Sequence, residues 1–309
     1  MIYTITLNPT LDITYVLDRI EFGEAVSAKD VIKTPGGKGI NVSRALRAMG
    51  VESVAMGLMG GYAGEEAISL LQQEGLILQI VRIGNETRTN VIVIGEEDER
   101  ELMIRAAGPV VETSEAERLT DFFFKLSNAP DAVVLSGSVP RGLPEDIYYK
   151  LVEQGKARGA IVVLDTSGEP LRQGIEAGPW LIKPNRDELE ELAGGKLETD
   201  QDVVSFCRKL MSKGVMMAAV SLGEDGALLV TSDYVLKGRV PRQEGDTVGA
   251  GDSMVAGLLM GLIDDKPIEE TFRMGLACGV SAVVNRGPGL CEPVSFGKLL
   301  PGVEVERLR

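Results

Sequence analysis

The sequence contains no histidine among its 309 residues. This absence removes the side chain that most often acts as a general base near neutral pH and that frequently binds transition metals. Base chemistry must therefore fall to a carboxylate, lysine, cysteine or tyrosine. A bound metal is expected to be a hard ion with oxygen ligands, such as magnesium. Phosphoryl transfer is compatible with both limits.

Cysteine is also scarce, because the chain contains only Cys207, Cys278 and Cys291. An odd number of cysteines without a C-x-x-C pair argues against a disulfide framework and against a zinc knuckle. The N-terminal residues 1–9 lack the basic segment and cleavage site of a secretory signal, and they alternate like a strand. We therefore expect a cytoplasmic protein.

Positive charge and long apolar runs are in short supply as well. The chain has 32 Lys and Arg residues against 46 Asp and Glu residues, a formal net charge of -14. This balance disfavours nucleic acids and membranes as partners, because both require a cationic surface. Apolar stretches such as Met254 to Ile263 fall short of the roughly 18 residues that a membrane helix needs. An anionic substrate would need a local cluster of cations.

From about residue 129 onward, short apolar runs alternate with helical patterns. Strand-length runs occupy residues 132–135, 161–164, 180–182 and 215–220, and helical patterns occupy residues 144–158, 169–177, 186–193 and 201–213. This alternation predicts a mostly parallel sheet with helices on both faces. A turn signal at residues 224–226 precedes the alternating run 227–230 and predicts an edge hairpin. Residues 250–262 and 268–284 predict two buried helices that pack side by side.

The first third of the chain has shorter and more polar strand candidates. They lie at residues 13–20, 30–34, 89–94 and 101–105, with helical segments between them. Strands of this kind suit a small sheet that is open on one face. We therefore expect a single domain over residues 1–309, with a discontinuous β-sheet lid from roughly residues 13–34 and 88–106.

A first glycine-rich segment, PGGKGINV at residues 35–42, leads into an amphipathic helical pattern. It is not a Walker A motif, because Lys38 is followed by glycine rather than by serine or threonine. A lone glycine pair is typical of a tight turn before a helix. Lys38 and Asn41 in the first turn favour ligand contact, since a helix N-terminus attracts polar or anionic groups.

A second glycine-rich segment, GDTVGAGDS at residues 245–253, runs directly into an apolar helical pattern. The small residues Gly249, Ala250 and Gly251 would let a phosphoryl group approach the first backbone N–H groups of the helix. Asp252 lies beside this predicted anion site, where a carboxylate can accept the proton of an attacking hydroxyl. The aspartate can equally serve only to complement the helix dipole, and spacing alone favours neither interpretation.

Together the two segments resemble the signatures of the ribokinase-like (PfkB) carbohydrate kinases. Five further segments follow the order of that family: NPTLD at residues 8–12, TRTN at 87–90, SGSVP at 136–140, KPNRDE at 183–188 and VSLG at 220–223. The set is most similar to the phosphofructokinase and tagatose-phosphate kinase branch. The resemblance implies a three-layer α/β/α domain with a mostly parallel sheet and a small β-sheet lid. It also implies a homodimer that forms through the lid.

The resemblance assigns candidate roles to individual residues. Catalysis would rest on Asp252 as the base and on Gly249, Ala250 and Gly251 as anion-binding residues. Substrate contacts would come from Asp12, Gly36, Gly37, Lys38, Asn41, Arg88 and Ser138, with Lys38, Arg88 and Ser138 around the substrate phosphate. ATP contacts would come from Lys183, Asn185, Ser221, Gly223, Gly226 and Asn285. Asn185 and Glu188 would orient magnesium through water.

The implied activity is ATP-dependent phosphorylation of a phosphorylated ketohexose. D-fructose 1-phosphate fits best, with fructose 1,6-bisphosphate as the product, and fructose 6-phosphate or tagatose 6-phosphate is the alternative substrate. A non-catalytic sugar-phosphate sensor is a different class of function, but a sensor has no need for Asp252 beside an anion loop. A nucleoside kinase is disfavoured because Lys38 and Arg88 would face a neutral substrate.

Overall fold

The computed structural model describes residues 1–23, 25–98, 100–125, 129–243, 245, 247–285 and 289–308. Asp246, which belongs to the second glycine-rich segment, lies outside the described residues. Within these ranges, no helix is both long enough and apolar enough to cross a membrane.

The described residues form fourteen β-strands and ten α-helices. In chain order, the strands are β1 (Ile2–Thr6), β2 (Thr10–Leu17), β3 (Asp30–Gly36), β4 (Ser53–Met59), β5 (Ile77–Arg82), β6 (Arg88–Gly95), β7 (Arg100–Ile104), β8 (Ala132–Ser136), β9 (Ile161–Asp165), β10 (Leu181–Ile182), β11 (Met217–Ser221), β12 (Ala227–Val230), β13 (Val235–Arg239) and β14 (Glu304–Leu308). The α-helices are α1 (Lys38–Ala48), α2 (Gly61–Gln73), α3 (Thr113–Phe124), α4 (Ile147–Ala157), α5 (Gly168–Glu176), α6 (Arg186–Ala193), α7 (Asp200–Met211), α8 (Ala250–Ile263), α9 (Ile268–Val284) and α10 (Pro293–Leu299). Short 3-10 helices occupy Gly223–Asp225 and Leu300–Gly302.

The larger sheet has the strand order β14-β13-β12-β11-β10-β9-β8-β1-β4-β5. Seven strands of this sheet pair in parallel, in the spatial order β5-β4-β1-β8-β9-β10-β11. Strands β12, β13 and β14 continue the sheet in antiparallel pairing. All five residues of β8 are buried, and its side chains alternate between two clusters on opposite faces of the sheet. Burial on both faces explains the uninterrupted apolar run in this strand.

Helices cover both faces of the larger sheet. Apolar side chains of α3, α4, α5, α6 and α7 pack in a cluster on one face. Those of α1, α8 and α9 pack on the other face. This three-layer arrangement with a mostly parallel sheet confirms the predicted fold class.

Helices α8 and α9 pack side by side, as the sequence predicts, and their contact runs along a line of small residues. A Cβ atom on Gly257 would lie 2.6 Å from the carbonyl oxygen of Met274 in α9. Added Cβ atoms on Gly261 and Gly275 would likewise come within 2.7 Å of side-chain atoms of the facing helix. The two helices can therefore approach each other only because these positions carry no side chain.

A second, smaller sheet has the order β3-β2-β6-β7. Strands β2 and β6 are parallel, and the two outer pairs are antiparallel. The four short strand candidates of the first third all overlap strands of this sheet. Its register places Asp12 beside Asn90, and Asn90 donates a side-chain hydrogen bond of 2.8 Å to Asp12. This pair lies on the face of the sheet opposite to Tyr15, Val31 and Leu102, which are exposed.

The position of the predicted edge hairpin requires a correction. Strands β11 and β12 form the predicted hairpin around residues 224–226, but β13 pairs with β12, and β14 pairs with β13 and becomes the edge strand of the larger sheet. The expectation that residues 227–230 lie at the edge was therefore wrong. Strand β14 carries three charged residues in five, so its hydrophobicity gives little sign of a strand.

Candidate active site

Five parallel strands deliver polar residues to one edge of the larger sheet. Strands β1, β8, β9, β10 and β11 all end at this edge, because parallel strands share the direction of their carboxyl ends. The residues at or just beyond these ends are Asn8, Ser138, Asp165, Lys183 and Ser221. In open parallel sheets the crevice at this edge is the usual place for a ligand.

The first glycine-rich segment brings the start of α1 against the end of β1. A Cβ atom on Gly39 would lie 2.6 Å from the hydroxyl oxygen of Thr6, and Gly37 has a φ of +123°. The same Thr6 hydroxyl accepts a hydrogen bond of 3.0 Å from the backbone N–H of Ile40. A Cβ atom on Gly36 would lie 2.9 Å from a carboxylate oxygen of Asp12. These glycines therefore allow a close approach that places Lys38 at the strand ends.

The second glycine-rich segment starts α8 at the same edge. Gly249 occupies the N-cap position in a left-handed conformation, with a φ of +83°. No side chain of the described residues caps this helix. A Cβ atom on Gly251 would lie 3.0 Å from the Lys183 Nζ atom. A helix N-terminus with an adjacent ammonium group is well suited to bind an anion.

Asp252 lies in the first turn of α8 with 6% of its surface exposed. Its Oδ2 atom accepts a hydrogen bond of 2.8 Å from the side-chain amide of Asn41 in α1. Burial, together with the negative charge of Asp165, raises the pKa of Asp252 to about 6, against the opposing effects of Asn41 and two lysines. The carboxylate is thus ionised at neutral pH but binds a proton more readily than an ordinary aspartate, as a general base requires.

A buried ion cluster lies beside Asp252. The ammonium of Lys38 donates a hydrogen bond of 3.0 Å to Asp165 Oδ1, and the Lys183 ammonium lies 3.7 Å from the same oxygen. Burial raises the pKa of Asp165, but Lys183 and Lys38 outweigh it and hold the pKa below its usual range. Burial alone would lower the pKa of Lys38, whereas the negative charges of Asp165 and Glu188 raise it. Asp165 and Lys38 are therefore both charged at neutral pH.

Two oxygen atoms of this cluster remain available to a cation. Asp165 Oδ2 is buried and has no hydrogen-bond partner among the described residues. Glu188 Oε1 lies 3.8 Å from the Lys38 ammonium. No cluster of three acidic, cysteine or histidine side chains suited to a metal occurs within the described ranges. A magnesium ion held by few protein oxygens and by retained waters is compatible with this donor set.

Asn185 and Glu188 form a capping box at the start of α6. The Asn185 side chain accepts a hydrogen bond of 2.8 Å from the Glu188 backbone, and Glu188 Oε2 accepts one of 2.9 Å from the Asn185 backbone. Asn185 Oδ1 would therefore have to serve both the cap and the predicted metal site, whereas Glu188 Oε1 takes no part in the cap. The N–H of Ser221 donates a 3.1 Å hydrogen bond to the carbonyl of Pro184, which holds the end of β11 beside the cap.

The predicted substrate residues include two separate hydrogen-bonded groups, one around Asp12 and one that contains Arg88 and Ser138. Asp12 accepts hydrogen bonds from Thr10 and Asn90, and burial raises its pKa despite these bonds. Arg88 donates a hydrogen bond of 3.0 Å to the carbonyl of Asn8, whose side-chain amide donates one of 3.0 Å to Ser138. Asn8 thereby joins Arg88 to Ser138. Lys38, predicted to lie with them, bonds instead to Asp165.

The predicted nucleotide residues occupy three places. Lys183 lies in the ion cluster, while Gly223 and Gly226 lie in the turn after β11. Gly226 has a φ of +85°, and a Cβ atom there would lie 2.0 Å from the Gly238 carbonyl, so hairpin packing alone already requires glycine. Asn285 follows α9 and donates a hydrogen bond of 2.7 Å to the carbonyl of Leu290. No hydrogen bond among the described residues joins Asn285 to the other nucleotide candidates.

The sequence interpretation assigned no role to Asp165, Asn8 or Asn90. Asp165 directly follows the buried run at residues 161–164, and an acidic residue at the end of a buried strand is a usable signal. Asn8 and Asn90 belong to segments that matched the family pattern. The contacts of Asn8 and Asn90 depend on how β1, β2 and β6 come together in space, and a local sequence pattern cannot predict that arrangement.

The three-layer fold with its second sheet defines the class of ribokinase-like α/β proteins. The profile described as pfkB family carbohydrate kinase matches residues 5–295, and the chain belongs to this family. The predicted family, and with it the predicted class of enzyme, is confirmed.

Curated relatives and a solved structure match over nearly the whole chain. The 1-phosphofructokinase of Bacillus subtilis (strain 168) is 40% identical over 100% of both chains. The 1-phosphofructokinase of Borreliella burgdorferi is 34% identical over 99% of this chain and 98% of its own. The crystal structure of phosphofructokinase-2 from Escherichia coli in complex with potassium has a TM-score of 0.92 and 31% identity, and the match covers 97% of this chain and 98% of that one.

Proposed function

We propose that this chain transfers the γ-phosphoryl group of ATP to the free primary hydroxyl of D-fructose 1-phosphate, which gives fructose 1,6-bisphosphate. The observation that carries the proposal is the buried Asp252 carboxylate at the start of α8, held by Asn41 and next to a helix N-terminus that no side chain of the described residues caps. The choice of fructose 1-phosphate is supported by two curated relatives that are 1-phosphofructokinases.

Asp252 is the proposed base. It accepts the proton of the primary hydroxyl as that oxygen attacks phosphorus in line. The backbone N–H groups at residues 249–251 and the ammonium of Lys183, which lies beside Gly251, are proposed to contact the transferred phosphoryl group. The Ala250 N–H donates a hydrogen bond of 3.2 Å to the Thr247 carbonyl and would have to exchange this partner for the phosphoryl group. They stabilise the charge that develops on that group, in a cleft where burial strengthens each interaction.

Sugar hydroxyls are proposed to bind at the start of α1 and on the second sheet. Asp12, Gly36, Gly37 and Asn41 line this region, and Gly36 packs directly against the Asp12 carboxylate. Arg88 and Ser138, joined through Asn8, are proposed to bind the phosphate that the substrate already carries. Lys38 remains in the proposal because its ammonium is partly exposed and has donors beyond the one that Asp165 uses.

ATP is the phosphoryl donor implied by the carbohydrate kinase family, and its proposed contacts are Lys183, Asn185, Ser221, Gly223, Gly226 and Asn285. Magnesium is proposed near Glu188 and Asn185, with the free oxygen of Asp165 as an additional acceptor for its bound waters. When bound, the ion supplies charge neutralisation for the phosphate oxygens.

The second sheet is proposed to act as a lid and as the dimer interface. Its outer face carries the exposed apolar side chains of Tyr15, Val31, Leu102 and Ile104. Apolar surface of this kind favours contact with a second copy of the chain. A cytoplasmic location completes the proposal and is supported by three cysteines that are all free.

The decisive experiment measures ADP release from magnesium-ATP with fructose 1-phosphate, fructose 6-phosphate and tagatose 6-phosphate in parallel. Preference for fructose 1-phosphate is the expected result. Preference for a 6-phosphate would reassign the substrate and leave the proposed chemistry intact. Binding of a phosphosugar without turnover by any of the three would replace the enzyme with a sensor. The matched control is Asp252→Asn, which should lose turnover by about 10³-fold or more.

A further inference from the structure

A row of three polar residues crosses the second sheet on its cleft side. The register pairs Asp12 with Asn90, and Val91 with Ile104. One step further, Arg105 therefore lies opposite Asn90, and the Ala106 N–H donates a hydrogen bond of 3.1 Å to the Asn90 side chain. Residues paired directly across adjacent strands have their side chains on the same face of the sheet, so Asp12, Asn90 and Arg105 share one face.

Arg88 lies on the same face, two positions before Asn90 on β6. In an antiparallel pair a residue and its diagonal neighbour lie roughly 7–8 Å apart, within reach of two long side chains. Arg88 and Arg105 are such diagonal neighbours. Both guanidinium groups lower the pKa of Asp12 by favouring its ionised form, which is consistent with both lying near its carboxylate.

Arg105 lies directly after β7 without an ion pair among the described residues. Its guanidinium is exposed, and its Nε atom lies 3.2 Å from the Met103 sulfur atom, a weak acceptor. No salt bridge of Arg105 occurs in the part of the chain that the structure describes. Burial lowers the pKa of Arg88, and the like charge of Arg105 lowers it further. Two guanidinium groups thus lie within electrostatic range of one carboxylate on the same face of the sheet, and an anion between them would relieve their repulsion.

We infer that Arg105 is a second ligand of the substrate phosphate and acts together with Arg88. The inference rests on the proposed function, since it concerns the same phosphosugar. A dianionic phosphate offers enough oxygen acceptors for both planar guanidinium groups, which suits Arg better than Lys. Arg105 is then a specificity-determining residue that favours phosphorylated over free hexoses.

The test compares Arg105→Ala, directly after β7, with Arg100→Ala at the start of β7, which removes the same charge from the opposite face of the sheet. Arg105→Ala should raise the KM for fructose 1-phosphate by about 10- to 100-fold and leave the KM for ATP within twofold. Arg100→Ala should change neither. The kcat/KM for unphosphorylated D-fructose should be the same in Arg105→Ala as in the wild type, because that sugar carries no phosphate. The KM of Arg105→Lys for fructose 1-phosphate should fall between those of the wild type and Arg105→Ala.

Calorimetric titration of fructose 1-phosphate without ATP separates this inference from the proposed function. If the wild type binds fructose 1-phosphate at least tenfold more tightly than Arg105→Ala, the inference stands even without turnover. If the wild type turns over fructose 1-phosphate and Arg105→Ala keeps its KM and affinity within twofold, the inference is wrong and the proposed function stands. Equal losses with D-fructose and fructose 1-phosphate would also overturn it, because the residue would then support the lid rather than bind phosphate.

Discussion

Asn41 on α1 donates a hydrogen bond of 2.8 Å to Asp252 on α8, across 211 positions of the chain. This bond favours the ionised carboxylate and so opposes the rise in pKa that burial causes. It therefore sets the pH range over which Asp252 can act as a base.

Asn41→Ala should shift the acid side of the pH–rate profile to higher pH. In the wild type, kcat/KM should fall as pH drops through about 6, because Asp252 becomes protonated. Loss of the Asn41 amide removes a group that lowers the pKa, so the midpoint should rise. Initial rates between pH 5 and 9 measure it. An unchanged midpoint in the variant would show that another group controls the profile.

Asp252→Asn should stabilise the fold while it abolishes turnover. A carboxyl group whose pKa is 3.8 in the unfolded chain and about 6 in the folded protein binds its proton more tightly when folded. Its ionisation therefore reduces stability as pH rises from 3.8 to about 6, and the loss is complete above that range. At about 1.4 kcal/mol per pH unit, the neutral amide should raise the free energy of unfolding at pH 7.5 by on the order of 3 kcal/mol.

Melting curves of both proteins at pH 7.5 and pH 4.5 measure this effect. The melting temperature of the variant should exceed that of the wild type by a few degrees at pH 7.5 and by less at pH 4.5. A variant that is less stable at pH 7.5 would contradict the raised pKa.

Lys183→Met should destabilise the protein at neutral pH. Lys183 helps to keep the buried Asp165 ionised, with a pKa below its usual range. That contribution to stability is present above the unfolded pKa of 3.8 and disappears as pH falls through the folded value. Removal of one partner from a buried charge cluster typically lowers the free energy of unfolding by about 3–5 kcal/mol.

Urea denaturation at pH 7.5 measures this loss of unfolding free energy. The matched control is Lys213→Met at an exposed position, which should change stability by about 0.5 kcal/mol or less. The double variant Lys183→Met, Asp165→Asn should recover part of the loss, since it removes the unpaired carboxylate. Strictly additive effects would mean that the two side chains do not interact.

Gly257→Ala should weaken the contact between α8 and α9. The added methyl group would lie 2.6 Å from a backbone oxygen, which cannot move aside as a flexible side chain can. The expected loss is at least about 1–3 kcal/mol, typical of an overpacked core. Gly297→Ala on exposed α10 is the control, because nothing lies within 4 Å of its added Cβ atom. It should gain about 0.5–1 kcal/mol from helix propensity. Equal melting temperatures for the two variants would contradict the packing argument.

The sequence predicts those strands and helices whose apolar residue pattern directly reflects how deeply the element is buried. The run at residues 132–135 is apolar throughout because both faces of β8 are covered, and the helices at residues 250–262 and 268–284 are apolar for the same reason. Strand β14 escaped prediction because neighbouring pairing, rather than its own hydrophobicity, makes it a strand.

Within the candidate site, the sequence predicts positions better than partners. Lys38 and Asn41 follow from a glycine-rich segment at a helix start, and the structure places both at the strand ends. The bond from Lys38 to Asp165 depends on how the start of α1 lies relative to the end of β9, which is a relation between distant segments. Arg105 became visible only through the register of β6 and β7.

The bond between Lys38 and Asp165 joins residues 127 positions apart. Contacts of such separation form late and slowly in folding, because long loops must close before they are made. A refolding chain should therefore regain its helical circular dichroism before its enzymatic rate. The lag between the two signals would report the time that the sheet edge takes to assemble after the individual helices have formed.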